Sequence, residues 1–343
     1  MGITHLSGLE VAGVPTMGMS GIPITNGSVF FVDAVNGNDS NTGAADSPLQ
    51  TIYGAYAQMT DGANDVAVIV GDGSTAATQR LSLANAQAID ATATTGTLTW
   101  AKDACHIIGM TAPTVVNPRA RFAPPTGVYT QATFNSGNFI VVTASGCIFS
   151  NISVFNGFST GGANQIAWTD SGGRNYYNNV SFGGAGDAAS AQSTSSLSLL
   201  VTGTSGENTF VNCEFGLDTV TRTVANSTVR FAAGSPRNVF TGCNFAFQTS
   251  SATTLGILVS AASGIDRWQK FDRCTFINNV QSTSTTMSGL ATIPASAGGL
   301  LLMKDCTLVG ITEFGTDATS RGQIYVDGAA ATAATSGIAV NPT

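Results

Sequence analysis

Charge is what this chain has least of. Only 10% of its 343 residues are Asp, Glu, Lys or Arg, against about a quarter in ordinary soluble domains. Lysine is confined to Lys102, Lys270 and Lys304, and histidine to His5 and His106. The net charge is −7 and no basic residues cluster, so nothing is available to neutralise a phosphate backbone and nucleic acid is not expected as a partner. No apolar run approaches the roughly 20 residues of a membrane-spanning helix, so no membrane partner is expected either. The basic-then-apolar layout of a secretion signal is missing, which points to synthesis and folding in the cytoplasm.

Other absences narrow the chemistry. Zinc sites need paired spacings such as C-x₂-C, and none occurs among the six cysteines. His106 lies in the apolar stretch Cys105–Ile108, which reads as core strand, so a Ser-His-Asp triad has little to build on. Gly71-Asp72-Gly73 lacks both the spacing and the Lys of a phosphate-binding loop. No cofactor and no metal site are expected.

What the chain does have is a phrase written six times: a bulky apolar residue, any residue, a turn-capable residue, a small apolar residue, any residue, an apolar residue. It runs Phe149–Val154, Tyr177–Phe182, Phe210–Phe215, Phe240–Phe245, Phe271–Phe276 and Met303–Leu308. The fourth position falls at Ile152, Val180, Cys213, Cys243, Cys274 and Cys306, in steps of 28, 33, 30, 31 and 32 residues. Such a period means stacked units, none able to bury its apolar face alone. The first and fourth positions are three apart, so a plain strand would place them on opposite faces. A left-handed corner at the third position turns both inward. Asn, Gly and Asp tolerate that backbone; Arg273 is the departure and is expected to mark a distorted turn. Stacked corner asparagines are expected to hydrogen-bond along the rod. Cys213, Cys243, Cys274 and Cys306 share one phase and read as a ladder of buried free thiols. A strand and a small-residue turn precede each phrase. The fold expected is all-β: a right-handed three-sided parallel β-helix with clear coils over 139–310.

Ahead of the coils, Phe30–Gly43 reads as a strand and polar turn, followed by the amphipathic stretch Ser47–Tyr56, a short helix capping the first coil. Asp33, Asn36, Asn38, Asp39 and Asn41 in that turn read as side chains bonded to backbone rather than as calcium ligands. At these residues the chain resembles the opening segment of pectate-lyase-like β-helix proteins, a pattern common in bacteriophage tailspikes and other virion proteins. The resemblance extends loosely from residue 29 to about 310. It implies a place on the virion, at the capsid surface or tail, with synthesis in the host cytoplasm.

Three segments follow: an extended N-terminal arm at 1–28, the β-helix at 29–312, and a C-terminal cap or trimer-contact segment at 313–343. The arm fits neither helix nor regular sheet, yet Ile3, Leu6, Leu9, Val11, Val14, Met17, Met19, Ile22 and Ile24 make it sticky. These nine residues are the expected partner-binding set, gripping a major capsid protein or tail and baseplate proteins. By analogy the rod is expected to be a homotrimer.

Carboxylates are sparse along the coils. Glu214 is the acidic member of an outward column with Asn244 and Thr275, and Asp272 and Lys304 share a neighbouring column. Glu207, Glu214, Asp218 and Arg222 form the best cluster for sugar-cleaving chemistry, though a weak one, so no catalytic residue is assigned. Trp268 would serve a sugar only if exposed. The expected function is that of a non-enzymatic capsid decoration or cement protein. The alternative is a tail fibre or tailspike component that binds or depolymerises host surface polysaccharide.

Overall fold

A coil of this kind closes only if its corners reverse the pleat of the strand. In the computed structural model all six corner residues lie in the left-handed region: Asn151 (φ 56°), Asn179 (54°), Asn212 (50°), Gly242 (63°), Arg273 (52°) and Asp305 (50°). The model describes residues 10–11, 14–15, 27–71, 81–82, 97–123, 138–156, 166–186, 188–204, 206–278 and 284–330. Arg273 is no distortion; it takes the same turn as its neighbours, with its N–H bonded to the Lys304 carbonyl at 2.8 Å. A side chain larger than Gly holds this backbone at a cost of about 1–2 kcal/mol. Arg273→Gly is therefore expected to stabilise the protein by about 1 kcal/mol in urea unfolding. An unchanged or lower midpoint would mean that the Arg273–Asp272 ion pair (3.3 Å) outweighs the strain.

Three parallel sheets form the sides of the solenoid. The first contains the strand before each corner, from Val29–Val32 through Ile148–Ser150, Tyr176–Asn178, Thr209–Val211 and Val239–Thr241 to Ile265–Asp272 and Gly298–Lys304. The second contains the strand after each corner, including Arg121–Ala123, Ser153–Phe155, Ser181–Gly183, Glu214–Phe215, Asn244–Thr249 and Thr275–Asn278. The third is built of Leu98–Trp100, Asn138–Val142, Ile166–Asp170, Leu197–Val201, Ser227–Phe231, Leu255–Val259 and Ala291–Thr292. The expectation of an all-β, three-sided parallel β-helix holds. The first sheet runs on to Ile324–Val326, which pairs parallel with Leu301–Met303 and then antiparallel with Ala329–Ala330.

The core is a set of ladders. Phe149, Tyr177, Phe210, Phe240 and Phe271 stack face to face at centroid separations of 5.1, 4.5, 4.5 and 4.6 Å. Phe182, Phe215, Phe245 and Phe276 form a parallel stack at 4.9, 4.8 and 4.4 Å. Such pairs add about 0.5–1.5 kcal/mol each beyond the area they bury. The six cysteines are free thiols. Burial raises the pKa of Cys243, and the neighbouring thiols raise those of Cys274 and Cys306, so these three thiols hold their protons.

Corner amides join as expected over two rungs: Asn179 Nδ2 donates to Asn151 Oδ1 at 2.8 Å, and Asn151 Nδ2 to the carbonyls of Gly109 and Thr111 at 2.8 Å each. A second amide ladder lies on the other side of the aromatic stack. The backbone N–H groups of Cys147, Asn175, Asn208 and Asn238 donate to the side-chain oxygens of Asn175, Asn208, Asn238 and Gln269 in turn, at 2.9–3.2 Å.

At the N-terminal end the expected helix spans Ile52–Gln58, with Thr51 Oγ1 accepting from the Gly54 N–H at 3.1 Å. Asp39 accepts from the N–H groups of Gln50 and Thr51 at 2.9 Å, and Asp33 from those of Val35 and Asn36 at 2.9 and 3.0 Å. These two carboxylates hold the turn. In the arm, Glu10–Val11 and Val14–Pro15 pair antiparallel, so this piece is a small hairpin where no regular sheet was expected. Val11 and Val14 are register partners in its backbone. Ile3, Leu6, Leu9, Met17, Met19, Ile22 and Ile24 lie outside the described residues.

Candidate functional site

Side-chain alternation sends the residue after each small inward residue to the outer face of the second sheet. Register aligns Arg121, Ser153, Ser181, Glu214, Asn244, Thr275 and Thr307 in one column across the coils. Charge occurs at two positions, and two serines separate them. Beside this column the loop between His106–Met110 and Arg121–Ala123 folds over the sheet. Its Asn117 lies in the left-handed region (φ 51°). The Asn117 Oδ1 accepts from Ser153 Oγ at 2.9 Å, and its backbone N–H reaches the Glu214 carboxyl.

Loop and sheet together enclose a cleft of about 210 Å³. Arg121, Ser181, Glu214 and Asp218 give it polar character, while Val116, Val154, Phe155 and Leu217 give it apolar walls. Glu214 is only 8% exposed and accepts from Ser181 Oγ at 2.7 Å. Burial holds its carboxyl above the usual range; the Ser181 and Asn117 hydrogen bonds pull it down and the Asp218 charge pushes it further up. Asp218 stands exposed at the rim. Two carboxyl groups thus share a cleft in unlike surroundings, one favouring the proton and the other open to solvent. A buried carboxyl of raised pKa lining a cleft is a candidate proton donor.

The four-residue cluster expected from sequence is split. Glu214 and Asp218 come together. Glu207 instead bonds Arg174 at 2.8 Å and also Arg237, and these partners lower its pKa. Arg222 turns inward to Asn226 Oδ1 (2.6 Å), Thr228 Oγ1 (2.7 Å) and the Phe247 ring, and burial lowers its pKa to about 9. Asp272 is tied to Lys270 at 3.0 Å. His106 is a core group: its Nδ1 accepts from the Ile148 N–H at 3.1 Å, and burial lowers its pKa to about 4 against the opposing Asp65 charge. Arg121 and Asn117 were not anticipated. They belong to a turn in which a loop replaces the repeated corner, so no copy of the phrase marks them.

No family model matches the sequence, and no curated protein matches it. Solved structures do. Pectin methylesterase PemA from Erwinia chrysanthemi superposes with a TM-score of 0.52 at 13% identity, covering 91% of this chain and 92% of that one. A pectin methylesterase in complex with a hexasaccharide gives 0.52 at 14% identity over the same shares. Pectate lyase Pel9A gives 0.47 at 13% identity, over 88% of this chain and 75% of that one. What is shared at these identities is the right-handed parallel β-helix fold. The expectation of a non-enzymatic protein is corrected by the same finding: the two pectin methylesterases that superpose over nine-tenths of this chain are enzymes.

Proposed function

We propose that the chain acts on polysaccharide at the Glu214 cleft. The observation that carries the reading is a buried carboxyl, held toward its protonated form, in a cleft that Asp218 and Arg121 also line. In this reading Glu214 donates its proton to the oxygen of a glycosidic bond as that bond breaks. Asp218 draws a proton from the water that attacks the anomeric carbon. Arg121 holds hydroxyl or carboxylate groups of the sugar. The fold supports the class of substrate, since the similar structures are named for pectin and one is described with a hexasaccharide.

The setting we propose is a bacteriophage spike, on the resemblance of residues 30–56. The capsid-decoration role is not carried forward, because most of the arm expected to grip a shell lies outside the described residues.

The test is release of reducing ends by the full chain from dextran, pectin, polygalacturonate, alginate and a bacterial O-chain. Cleavage of one of these is expected, falling about a hundredfold or more in both Glu214→Gln and Asp218→Asn. No release from any of them, or wild-type rates in both variants, would overturn the reading.

A further inference from the structure

The chain has three tryptophans, and the structure treats one differently. Trp100 and Trp168 are fully buried, and each spends its indole N–H inside the protein, on the Cys105 carbonyl at 3.0 Å and on Tyr177 Oη at 3.2 Å. Trp268 instead stands on the outer face of the first sheet, half-buried. Register places Leu300 beside it on the next strand, and Tyr325, 36% exposed, beside Leu302 on the strand after that. Among the described residues no hydrogen bond engages the Trp268 indole N–H or the Tyr325 hydroxyl. Two rings therefore offer both a face and an unused polar tip.

The ground around them is kept low. Gly298, Gly299 and Gly322 line the same groove, whose volume is about 620 Å³. Gly299 cannot be replaced cheaply, because a Cβ there would sit 2.2 Å from the carbonyl oxygen of Arg267. Arg267 is itself in the left-handed region (φ 64°). The left-handed backbone at Arg267 thus requires a residue without a side chain at its register partner Gly299, diagonal to Trp268. Gln323 and Arg267 stand at the edge. Gln323 Nε2 donates to the Pro294 carbonyl at 2.9 Å and Arg267 Nε lies 3.4 Å from Asp266, which leaves the Gln323 amide oxygen and the remaining Arg267 N–H groups to the groove.

We infer that this groove is a second saccharide-binding site, on a different side of the rod from the Glu214 cleft, taking an extended segment of polysaccharide. A pyranose has an apolar C–H face and a rim of hydroxyls. An aromatic face with a free N–H or O–H at its tip meets both needs at once. The groove falls within the size range of ligand sites but is shallow and open, a shape that suits an extended chain lying across the rings rather than a small molecule enclosed among them. The inference shares its ligand class with the proposed function but depends on none of the residues of the cleft.

Fluorescence provides the test, because Trp268 is the only partly exposed tryptophan. The full chain is titrated with dextran, pectin, polygalacturonate, alginate and a bacterial O-chain, while acrylamide quenching is followed. One of these is expected to protect the quenchable emission. Trp268→Phe should remove the quenchable signal yet keep retardation by that polysaccharide in affinity electrophoresis. Trp268→Ala and Tyr325→Ala should each weaken retardation about tenfold. Unaltered retardation in both alanine variants overturns the inference, as does failure of every polysaccharide to protect. So does a fall in mass by light scattering on Trp268→Ala with retardation unchanged, which would make the face a contact between copies. Protection without cleavage would sink the Glu214 reading and leave this site standing; cleavage without protection would do the reverse.

Discussion

A Phe240→Ala chain is expected to be about 3–5 kcal/mol less stable than the wild type. Phe240 is fully buried, stacked at 4.5 Å on Phe210 and 4.6 Å on Phe271, with the edges of Phe215 and Phe231 at 5.7 and 6.2 Å. Backbone hydrogen bonds between coils fix the spacing of the stack, so the rings above and below cannot close the gap. The loss therefore includes a cavity as well as the transfer of the ring. Because coils contact only their neighbours, the damage should centre on the strands at 209–211 and 265–272. Urea unfolding reads the total and hydrogen exchange the location. A loss below about 1 kcal/mol, the size of an average substitution, would mean the stack does not bear on stability.

Asp170→Ala should cost a similar amount for a different reason. Asp170 is fully buried and accepts from the Gly173 N–H at 3.0 Å, from Asn175 Nδ2 at 2.9 Å and from the Tyr177 hydroxyl. Removing the carboxyl strands the Tyr177 and Gly173 donors where water cannot reach them, at about 1–3 kcal/mol each. Burial raises the Asp170 pKa, against the lowering effect of the Tyr177, Asn175 and Gly173 hydrogen bonds. A folded-state pKa above the unfolded one means the native state binds the proton more tightly. That contribution is full below about pH 4, the unfolded value, and is lost as pH rises through the folded value. Asp170→Asn keeps the shape without the titration. It is expected to cost far less than the alanine and to flatten the decline in stability from pH 4 toward neutrality. The slope that remains combines Glu214, shifted in the same direction, with the opposing contribution of His106, whose pKa, lowered to about 4, adds stability as pH rises toward the ordinary imidazole value. A steeper decline in the asparagine variant would show that Asp170 is ionised in the fold.

Much of the architecture was legible because left-handed corners admit few residue types. Asn151, Asn179, Asn212 and Gly242 announced themselves, and even Arg273 was placed by its neighbours' spacing. The ladder of Asn175, Asn208, Asn238 and Gln269 went unread, although three of these are an Asn two residues ahead of a phrase aromatic; singly, each resembles an ordinary turn residue. In the cleft, Glu214 and Asp218 stood out as rare carboxylates, but Arg121 and Asn117 arrive from coils whose corner is replaced by the loop at 111–119. Glu207 and Arg222 misled because they are close to Glu214 in sequence. Glu207 precedes the corner at Asn212, and Arg222 is drawn beneath Phe247. Proximity along a coil says little once the chain has turned a corner.

The identity of successive corners also sets a rule for how such a molecule can change in length. Asn212 and Gly242 make the same bend, and Phe215 lies in register with Phe245 one coil further on. Cutting at both corners and rejoining would remove one whole thread of the screw and leave every remaining ladder intact but one rung shorter. A cut of another size within the strands would strip the thread, shifting core residues onto the outer face, whereas the loops, which make successive coils 28 to 33 residues long, absorb small changes. Growth and loss in a rod like this come in whole pitches, about 4.8 Å at a time.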